Sequence, residues 1–489
     1  MSVSAAINGL VNYAKFNLDL DSRDAAYKTN GILDMLGSPA FDPADDGYAS
    51  DDVNELLAYF VDECVADGLF ETDDASAMCD KVMGWLSQSP SYVDSAVRFH
   101  ASEDGKADNM KGMRWLYDYC VKNTYVKKAV LDKNPRFDSN GLIVTINLAK
   151  PEFRDPKKAA SGNSVKGGYP KCVICSENVG YTPRNKCTLR TTDVQLGDNE
   201  FFWQFSPYGY FREHGICVNK KHIPMHVDRE TLNNLLQFVD IFPEYFIGSN
   251  AALPRIGGSV LAHDHYQGGG EILPLFNAPV RTKLKLAGYD DVEIGTLDWP
   301  GTCVRLISAN KQHLVNVADK IRVHWESYDN AELGIVSQDE EGKHSAISPT
   351  VMRRNGKYEM NIILRCNITS EQYPDGVFHA HPEFHSIKKE SIGLIEAQGL
   401  FILPGRLVNQ LAAVEKCVID GKLTEDLEDF RMVYEETAAK ATDKSAEGVH
   451  EAMKDELGSI CYRILQNTAV FKQEEQTIEF LKEVGFEKR

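Results

Sequence analysis

Residues 253–270 read LPRIGGSVLAHDHYQGGG, and the rest of the chain is best interpreted from this stretch outward. Within it, His263, His265 and Gln267 stand two residues apart between two glycine clusters. If residues 260–267 are extended, side chains at i, i+2 and i+4 project from one face of a strand. The glycines let backbone amides approach a ligand without an intervening Cβ. The pattern predicts a strand that presents two imidazoles and a carboxamide to a phosphate group.

The composition is that of a globular protein. A chain of 489 residues with 43% hydrophobic residues can build the cores of two or three domains. It has no run of about 18 apolar residues and no basic, cleavable leader, so we expect no membrane span, no export and a cytoplasmic location. The net charge of −19 disfavours nucleic acid and anionic membranes as partners. The odd number of cysteines, 11, favours reduced thiols over a disulfide framework.

The first part of the chain has a helical pattern. Apolar residues recur at helical spacing over residues 51–67 and, less regularly, over residues 110–120. This part is acidic and contains no cluster of catalytic residue types. We therefore interpret residues 1–140 as an accessory helical region.

The pattern changes to β-strands after residue 141. Residues 142–148, LIVTINL, predict a strand, and the glycine-bearing residues 151–171 predict a loop. Aromatic and β-branched residues over 201–218 predict a hairpin, and residues 231–246 predict an amphipathic helix. The order strand, strand, helix, strand fits an α+β unit.

A Cys-x-x-Cys pair precedes the hairpin. Cys172 and Cys175 have a spacing that is typical of zinc sites. The pair alone is also compatible with a redox function or with two unrelated buried thiols. Further metal ligands would have to come from elsewhere, and the nearest histidines are His214, His222 and His226.

The motif His263-Asp-His265-Tyr-Gln267, within Gly-Gly-Ser-x-x-x-His-x-His-x-Gln-Gly-Gly, resembles the active-site signature of the galactose-1-phosphate uridylyltransferases, in its type 2 version. Other segments resemble the same family in the expected order: YPKC at 169–172, FIGSN at 246–250, LRCN at 364–367 and IKKESIGLIEAQGLFILP at 387–404. The resemblance thus covers at least residues 169–404.

The resemblance implies a fold and a reaction. The expected fold is α+β and related to the histidine-triad superfamily, with two similar antiparallel-sheet halves at residues 141–295 and 296–489, the second ending in helices. The expected reaction is a ping-pong exchange in which UDP-glucose gives UMP to a histidine and galactose 1-phosphate then takes it. By motif position that histidine is His265. A homodimer that acts on small molecules is also expected.

The chemistry of the residues supports these roles. A neutral imidazole is a nucleophile without an added base, and its phosphoramidate can be discharged by a second phosphate. The other ring nitrogen of His265 needs an acceptor, which we expect to be a backbone carbonyl. Gln267 can donate to a phosphate oxygen but cannot act as a general acid, which favours transfer over hydrolysis. On an alternating strand, Asp264 would point away from the ligand and hold the backbone or a cationic neighbour.

The resemblance also implies ligand sites. In metal-bearing family members, zinc uses the residues that correspond to Cys172, Cys175, His222 and His263, which would pin the nucleophile strand. By resemblance, Lys389 would reach the phosphates as a point charge. Further candidates for substrate binding are Asn250, Ser259, Arg365 and Asn367.

The second half repeats the pattern of the first. Residues 302–307 predict a strand, a long helix follows to about residue 328, residues 348–368 predict two strands, and residues 408–489 are helical. The sequence His379-Ala-His381, with His385 after it, echoes the motif. It is interpreted either as a second metal site, as the family suggests, or as imidazoles that bond substrate or loop backbone.

Two other functions remain compatible with the motif. A UTP-dependent hexose-1-phosphate uridylyltransferase or a dinucleoside polyphosphate phosphorylase would keep the same histidine and glutamine. A nucleotide-binding protein without catalysis would leave the motif idle, and the intact His265 and Gln267 count against it.

Overall fold

The computed structural model describes residues 2–102, 105, 107–148, 168–258, 260–340 and 342–489. Most of the predicted loop at 151–171 and the candidate Ser259 lie outside the described residues. The chain forms two compact units. The first comprises the described residues of Met1–Asp132, Val165–Gly209 and Gly215–Lys221, and the second those of Lys133–Ser164, Tyr210–His214 and His222–Arg489. The division at residues 140 and 295 stays a prediction.

The α-helices of the described residues are, in chain order, α1 Val3–Asn17, α2 Ala25–Met35, α3 Val53–Ala66, α4 Ala75–Leu86, α5 Pro90–His100, α6 Asn109–Lys122, α7 Lys128–Leu131, α8 Arg229–Ile241, α9 Pro274–Asn277, α10 Lys311–Trp325, α11 Leu394–Ala397, α12 Leu407–Asp420, α13 Arg431–Lys440, α14 Ala446–Thr468 and α15 Glu474–Glu483. None of them is both long enough and apolar enough to cross a lipid bilayer.

The strands of the described residues are β1 Arg136–Ser139, β2 Leu142–Asn147, β3 Thr192–Leu196, β4 Asn199–Phe205, β5 Gly215–Asn219, β6 Phe246–Gly248, β7 His265–Gly269, β8 Val280–Leu286, β9 Glu293–Leu297, β10 Cys303–Ser308, β11 Gln338–Asp339, β12 Gly342–Lys343, β13 Ser345–Arg354, β14 Lys357–Cys366, β15 Leu400–Pro404 and β16 Phe486–Lys488.

The first unit contains helices α1 to α7 and the antiparallel strands β3, β4 and β5. Helix α1 begins at a serine cap, since the Ser2 side chain accepts the N–H of Ala5. The predicted stripe on α3 is confirmed, because Leu56, Phe60 and Cys64 are buried. The helical character of the N-terminal region is therefore confirmed.

The second unit is built on an antiparallel sheet with the strand order β16-β8-β9-β10-β14-β13-β6-β7. A smaller sheet has the order β1-β2-β15, in which β15 runs parallel to β2. Side chains of the smaller sheet, among them Val144 and Phe401, share a core with Leu411 of α12 and Ile460 of α14. Helices and antiparallel sheets confirm the α+β class, and the C-terminal segment is helical as predicted.

Several predicted boundaries need correction. The predicted helix at 231–246 ends at Ile241, because Pro243 disfavours a helical conformation in the residue before it. The predicted strand at 260–267 begins only at His265, and residues 260–264 make turns. The backbone there bonds to another segment: the Asp264 N–H donates to the Ile223 carbonyl (2.8 Å), and the Leu261 carbonyl accepts from Met225 (2.9 Å).

Candidate active site

Strand β7 carries the two central motif residues. It pairs with β6, with Gln267 opposite Gly248. Between them, Tyr266 is buried, and its hydroxyl accepts a hydrogen bond from Asn234 of α8 (3.2 Å). Since successive strand residues point to opposite faces, His265 and Gln267 lie side by side on the face away from α8. Helix α8 therefore supports the strand from behind.

The ring of His265 is buried and fixed in orientation. Its Nδ1 lies 2.8 Å from the backbone carbonyl oxygen of His263, as expected for the acceptor that selects the Nδ1–H tautomer. The lone pair then lies on Nε2. Burial lowers the pKa of His265, and the hydrogen bond from the ring to His263 opposes this shift. Burial thus favours the neutral form of this ring.

His263 faces a different set of side chains. Its ring lies 4.5 Å, centroid to centroid, from that of His222. The Sγ atoms of Cys172 and Cys175 are 3.3 Å apart. One ligand atom from each of these four residues lies within 4.8 Å of the others, and among the described residues no other group of three or more Cys, His, Asp or Glu side chains does so. This cluster can hold a metal ion.

The donor set fits a tetrahedral ion. Two thiols and two imidazoles are typical zinc ligands, and zinc–ligand bonds of about 2.0–2.3 Å require ligand atoms roughly 3.3–3.8 Å apart. Burial raises the pKa of the Cys175 thiol, so a thiolate there needs a neighbouring cation. Of the other histidines that the sequence offered, His226 is partly exposed beside the Pro224 carbonyl, and His214 is buried near Gln267.

Asn250 joins the glycines before the motif to helix α11. Its Oδ1 accepts the backbone N–H of Leu394 (2.8 Å). A Cβ at Gly257 would lie 3.1 Å from the Asn250 Cβ, and one at Gly258 would lie 3.5 Å from its Nδ2. Gly257 therefore allows this loop to pack closely on Asn250, whereas Gly258 has room for a Cβ.

The Asn367 amide is engaged at both ends. Its Nδ2 donates to the Pro254 carbonyl (3.1 Å), and its Oδ1 accepts from His344 Nδ1 (2.7 Å). The other nitrogen of His344 lies 2.8 Å from Asp339 Oδ1. The Asn367 carbonyl accepts from the Arg255 guanidinium (3.2 and 3.3 Å). Asn367 thus holds the loop before the motif, and sequence patterns carried no signal for His344.

The predicted cations differ in burial. Arg365 is buried, donates to the Ile392 carbonyl (2.7 Å), and has its pKa lowered to about 10 by burial. Lys388 is buried as well, with Nζ 2.5 Å from Glu396 and 3.1 Å from Glu390. Lys389 is exposed. Of the two adjacent lysines, Lys389 is therefore the one accessible to a ligand.

The glycines after Gln267 lie against other backbone segments, and their role in binding phosphate stays a prediction. A Cβ at Gly268 would lie 2.0 Å from the Phe246 carbonyl oxygen. Gly269 has a φ of +153°, and a Cβ there would lie 2.4 Å from the Glu213 carbonyl oxygen. These glycines allow other backbone segments to pack directly on the strand.

The second histidine pair does not form a metal cluster within the described part of the chain. His379 Nδ1 and His385 Nε2 each lie 3.1 Å from the Ala380 carbonyl oxygen. His381 Nε2 lies 3.1 Å from the Val377 carbonyl oxygen, and its ring stacks on Tyr373. The sequence predicted either a second metal site or imidazoles that bond substrate or loop backbone. The observed contacts are those of imidazoles beside loop carbonyl groups.

Known proteins resemble this chain over most or all of its length. The family described as "Galactose-1-phosphate uridyl transferase, C-terminal domain" matches residues 237–432. A galactose-1-phosphate uridylyltransferase of Bifidobacterium longum subsp. longum is 50% identical over 100% of this chain and 99% of its own. One from Ligilactobacillus salivarius is 39% identical over 86% of each chain. The solved structure of yeast Ap4A phosphorylase is 11% identical, with a TM-score of 0.31 over 67% of this chain and 86% of its own.

These findings define the protein as an enzyme of the nucleotidyltransferase class. The identity to the Bifidobacterium protein extends over the whole of this chain. The chain therefore belongs to the galactose-1-phosphate uridylyltransferase family, whose function lies in galactose metabolism and whose substrates are small molecules.

Proposed function

We propose that the protein exchanges UMP between UDP-glucose and galactose 1-phosphate by a ping-pong mechanism, and that His265 carries the UMP. In the first step, Nε2 of His265 attacks the α-phosphorus of UDP-glucose. A P–N bond forms, the bond from that phosphorus to the bridging oxygen breaks, and glucose 1-phosphate leaves. A phosphate oxygen of galactose 1-phosphate then attacks the same phosphorus, the P–N bond breaks, and UDP-galactose leaves.

One observation carries this proposal. The His265 Nδ1 is 2.8 Å from the His263 carbonyl oxygen, and the buried ring has a lowered pKa. A neutral imidazole with its Nδ1–H engaged presents the Nε2 lone pair without needing a separate base. Gln267, on the same face, has an amide N–H that can donate to a non-bridging oxygen as negative charge builds up on the phosphoryl group.

Zinc is the metal that we propose for the Cys and His cluster. The ion would supply the charge that stabilises the buried thiolates and would fix the His263 side chain. The same residue offers its backbone carbonyl to His265. The cluster would therefore position the nucleophile through His263, two residues before it, without contact with the substrate.

The remaining candidates divide into contact and positioning residues. We propose that the exposed Lys389 contacts substrate phosphate, together with Ser259 next to the glycine pair. Asn250, Arg365 and Asn367 are buried and bonded to other parts of the chain. These three would shape the loops around the substrate. A homodimer of such chains remains part of the proposal.

Labelling tests the mechanism. The protein is incubated with UDP-glucose that carries label in the α-phosphate, and the acid-labile label is mapped. We expect label on His265, its discharge by galactose 1-phosphate, and its loss in His265→Gln. His313→Gln is a matched control, because this histidine is partly exposed at the start of α10 beside Asp291. Transfer activity without label on His265 would refute the mechanism, and turnover only with UTP or a dinucleoside polyphosphate would favour the alternative functions.

A further inference from the structure

His214 is a buried aromatic residue outside the motif. Its ring stacks on Tyr210 at a centroid distance of 4.7 Å and lies 4.6 Å from the ring of Phe211. Burial lowers its pKa to about 4. The ring is therefore neutral near pH 7 and has one N–H donor and one lone pair.

The polar contacts of this ring are incomplete. Among the described residues, neither ring nitrogen of His214 has a hydrogen-bond partner at normal geometry, although the residue is buried. The side chain of Gln267 lies near enough to the ring to raise the pKa of His214, against the larger effect of burial. Buried polar groups are normally paired, so an imidazole left in this state beside the motif glutamine suggests a role in the active site.

The backbone brings His214 and Gln267 together. The Gly270 N–H donates to the Arg212 carbonyl (3.1 Å). The position where a Cβ of Gly269 would stand is 2.4 Å from the Glu213 carbonyl oxygen. Glu213 itself has a left-handed φ of +57°, which turns the chain just before His214. Any side chain at Gly269 would push residues 210–214 away from β7 and separate His214 from Gln267.

We propose that His214 positions the Gln267 carboxamide, so that the Gln267 amide N–H points at the phosphoryl oxygen rather than rotating away from it. This inference rests on the proposed function of Gln267. A primary amide has two donors and one acceptor, and its terminal torsion is soft. A neutral imidazole fixed by Tyr210 and Phe211 can engage one end of that amide and leave a donor for the substrate. His214 is therefore a positioning residue that acts through Gln267.

The test is a double-mutant cycle on UMP transfer. His214→Phe keeps an aromatic ring between Tyr210 and Phe211 but removes both nitrogens. We expect kcat to fall about tenfold with little change in KM, which is less than the roughly 10²–10³ typical of deleting a transition-state donor outright. In a Gln267→Ala background, His214→Phe should cause no further loss. His214→Gln and His214→Asn each offer an amide near one of the former ring nitrogens, and at least one should recover activity.

His324→Phe is the matched control. His324 also lies among aromatic rings, 5.1 Å from Phe480 and 5.9 Å from Tyr328, but it is partly exposed on α10 and far along the chain from the motif. It should leave kcat and KM unchanged.

The outcomes separate the positioning role of His214 from the proposed role of Gln267 in binding the phosphoryl oxygen. An equal loss from His214→Phe in both backgrounds, or no loss in the wild-type background, would overturn the positioning role. If His214→Phe does not fold, His214→Gln and His214→Asn are measured with and without Gln267→Ala. If neither variant changes kcat in a way that depends on Gln267, the positioning role is overturned as well. If Gln267→Ala alone keeps full activity, the proposed function of Gln267 fails independently of His214.

Discussion

The adjacent lysines Lys388 and Lys389 offer a test of the site, because replacing the first by methionine should lower stability and replacing the second should weaken substrate binding. Lys388 is 1% exposed, and its ammonium lies 2.5 Å from Glu396 and 3.1 Å from Glu390. It also donates to the Ile402 carbonyl (3.0 Å). Lys388→Met would leave the Glu396 carboxylate buried without this cation, and we expect a large loss of stability with intact substrate affinity.

The magnitude follows from the contacts that remain. Removing one partner of a buried ion pair typically costs about 3–5 kcal/mol. Glu396 would keep a hydrogen bond from the Gly393 N–H (3.0 Å) and the attraction of the nearby Arg365. We therefore expect a cost at the lower end, about 3 kcal/mol in the free energy of unfolding.

Lys389→Met is the matched comparison. A substitution at an exposed position should change stability by less than about 0.5 kcal/mol. Loss of a charge-assisted bond to phosphate is worth about 1.5–3 kcal/mol, so the KM for UDP-glucose should rise at least roughly tenfold. Urea unfolding monitored by tryptophan fluorescence gives the stabilities, and initial rates of UMP transfer give KM. The reasoning is refuted if Lys388→Met is as stable as wild type, or if Lys389→Met unfolds as easily as Lys388→Met.

Three further outcomes are expected. Gly268→Ala should lower the melting temperature by several degrees and abolish transfer, because its Cβ would lie 2.0 Å from the Phe246 carbonyl oxygen. Gly258→Ala is the control and should melt like wild type, because its Cβ would have its nearest neighbour at 3.5 Å. Equal melting temperatures for the two variants would contradict this prediction. A strong chelator should remove about one zinc per chain, measured by atomic emission, and lower the melting temperature. Cys172→Ser should contain no zinc. Metal retained in that variant would show that the zinc is bound elsewhere. The pKa of His214 is about 4 when folded and 6.5 as the unperturbed value, so the unfolded chain binds the proton first and stability is lost as pH falls from 6.5 to 4; urea unfolding at several pH values should show a shallower loss for His214→Phe than for wild type or His324→Phe.

The sequence predicted those parts of the site that depend on local spacing. His265 and Gln267 are two apart on a strand, and alternation alone puts them on one face. The packing requirement at Gly268 and Gly269 could not be predicted, because the backbone segments that lie against them, at Phe246 and Glu213, are far away in the chain. His214 was predicted only as a possible metal ligand and His344 was not predicted at all, since each has its partner more than 20 residues away, Gln267 and Asn367 respectively.

The turn before β7 explains how one short motif would supply both the metal ligand and the nucleophile that we propose. In a continuous strand over residues 260–267, the His263 side chain would share the face of His265. The turn breaks that alternation, and the His263 ring lies against His222 instead. It also leaves the His263 carbonyl to accept the Nδ1–H of His265 at 2.8 Å. A zinc ion held by the His263 ring would then restrain the acceptor that orients the nucleophile, so metal loss should affect transfer before it unfolds the sheet.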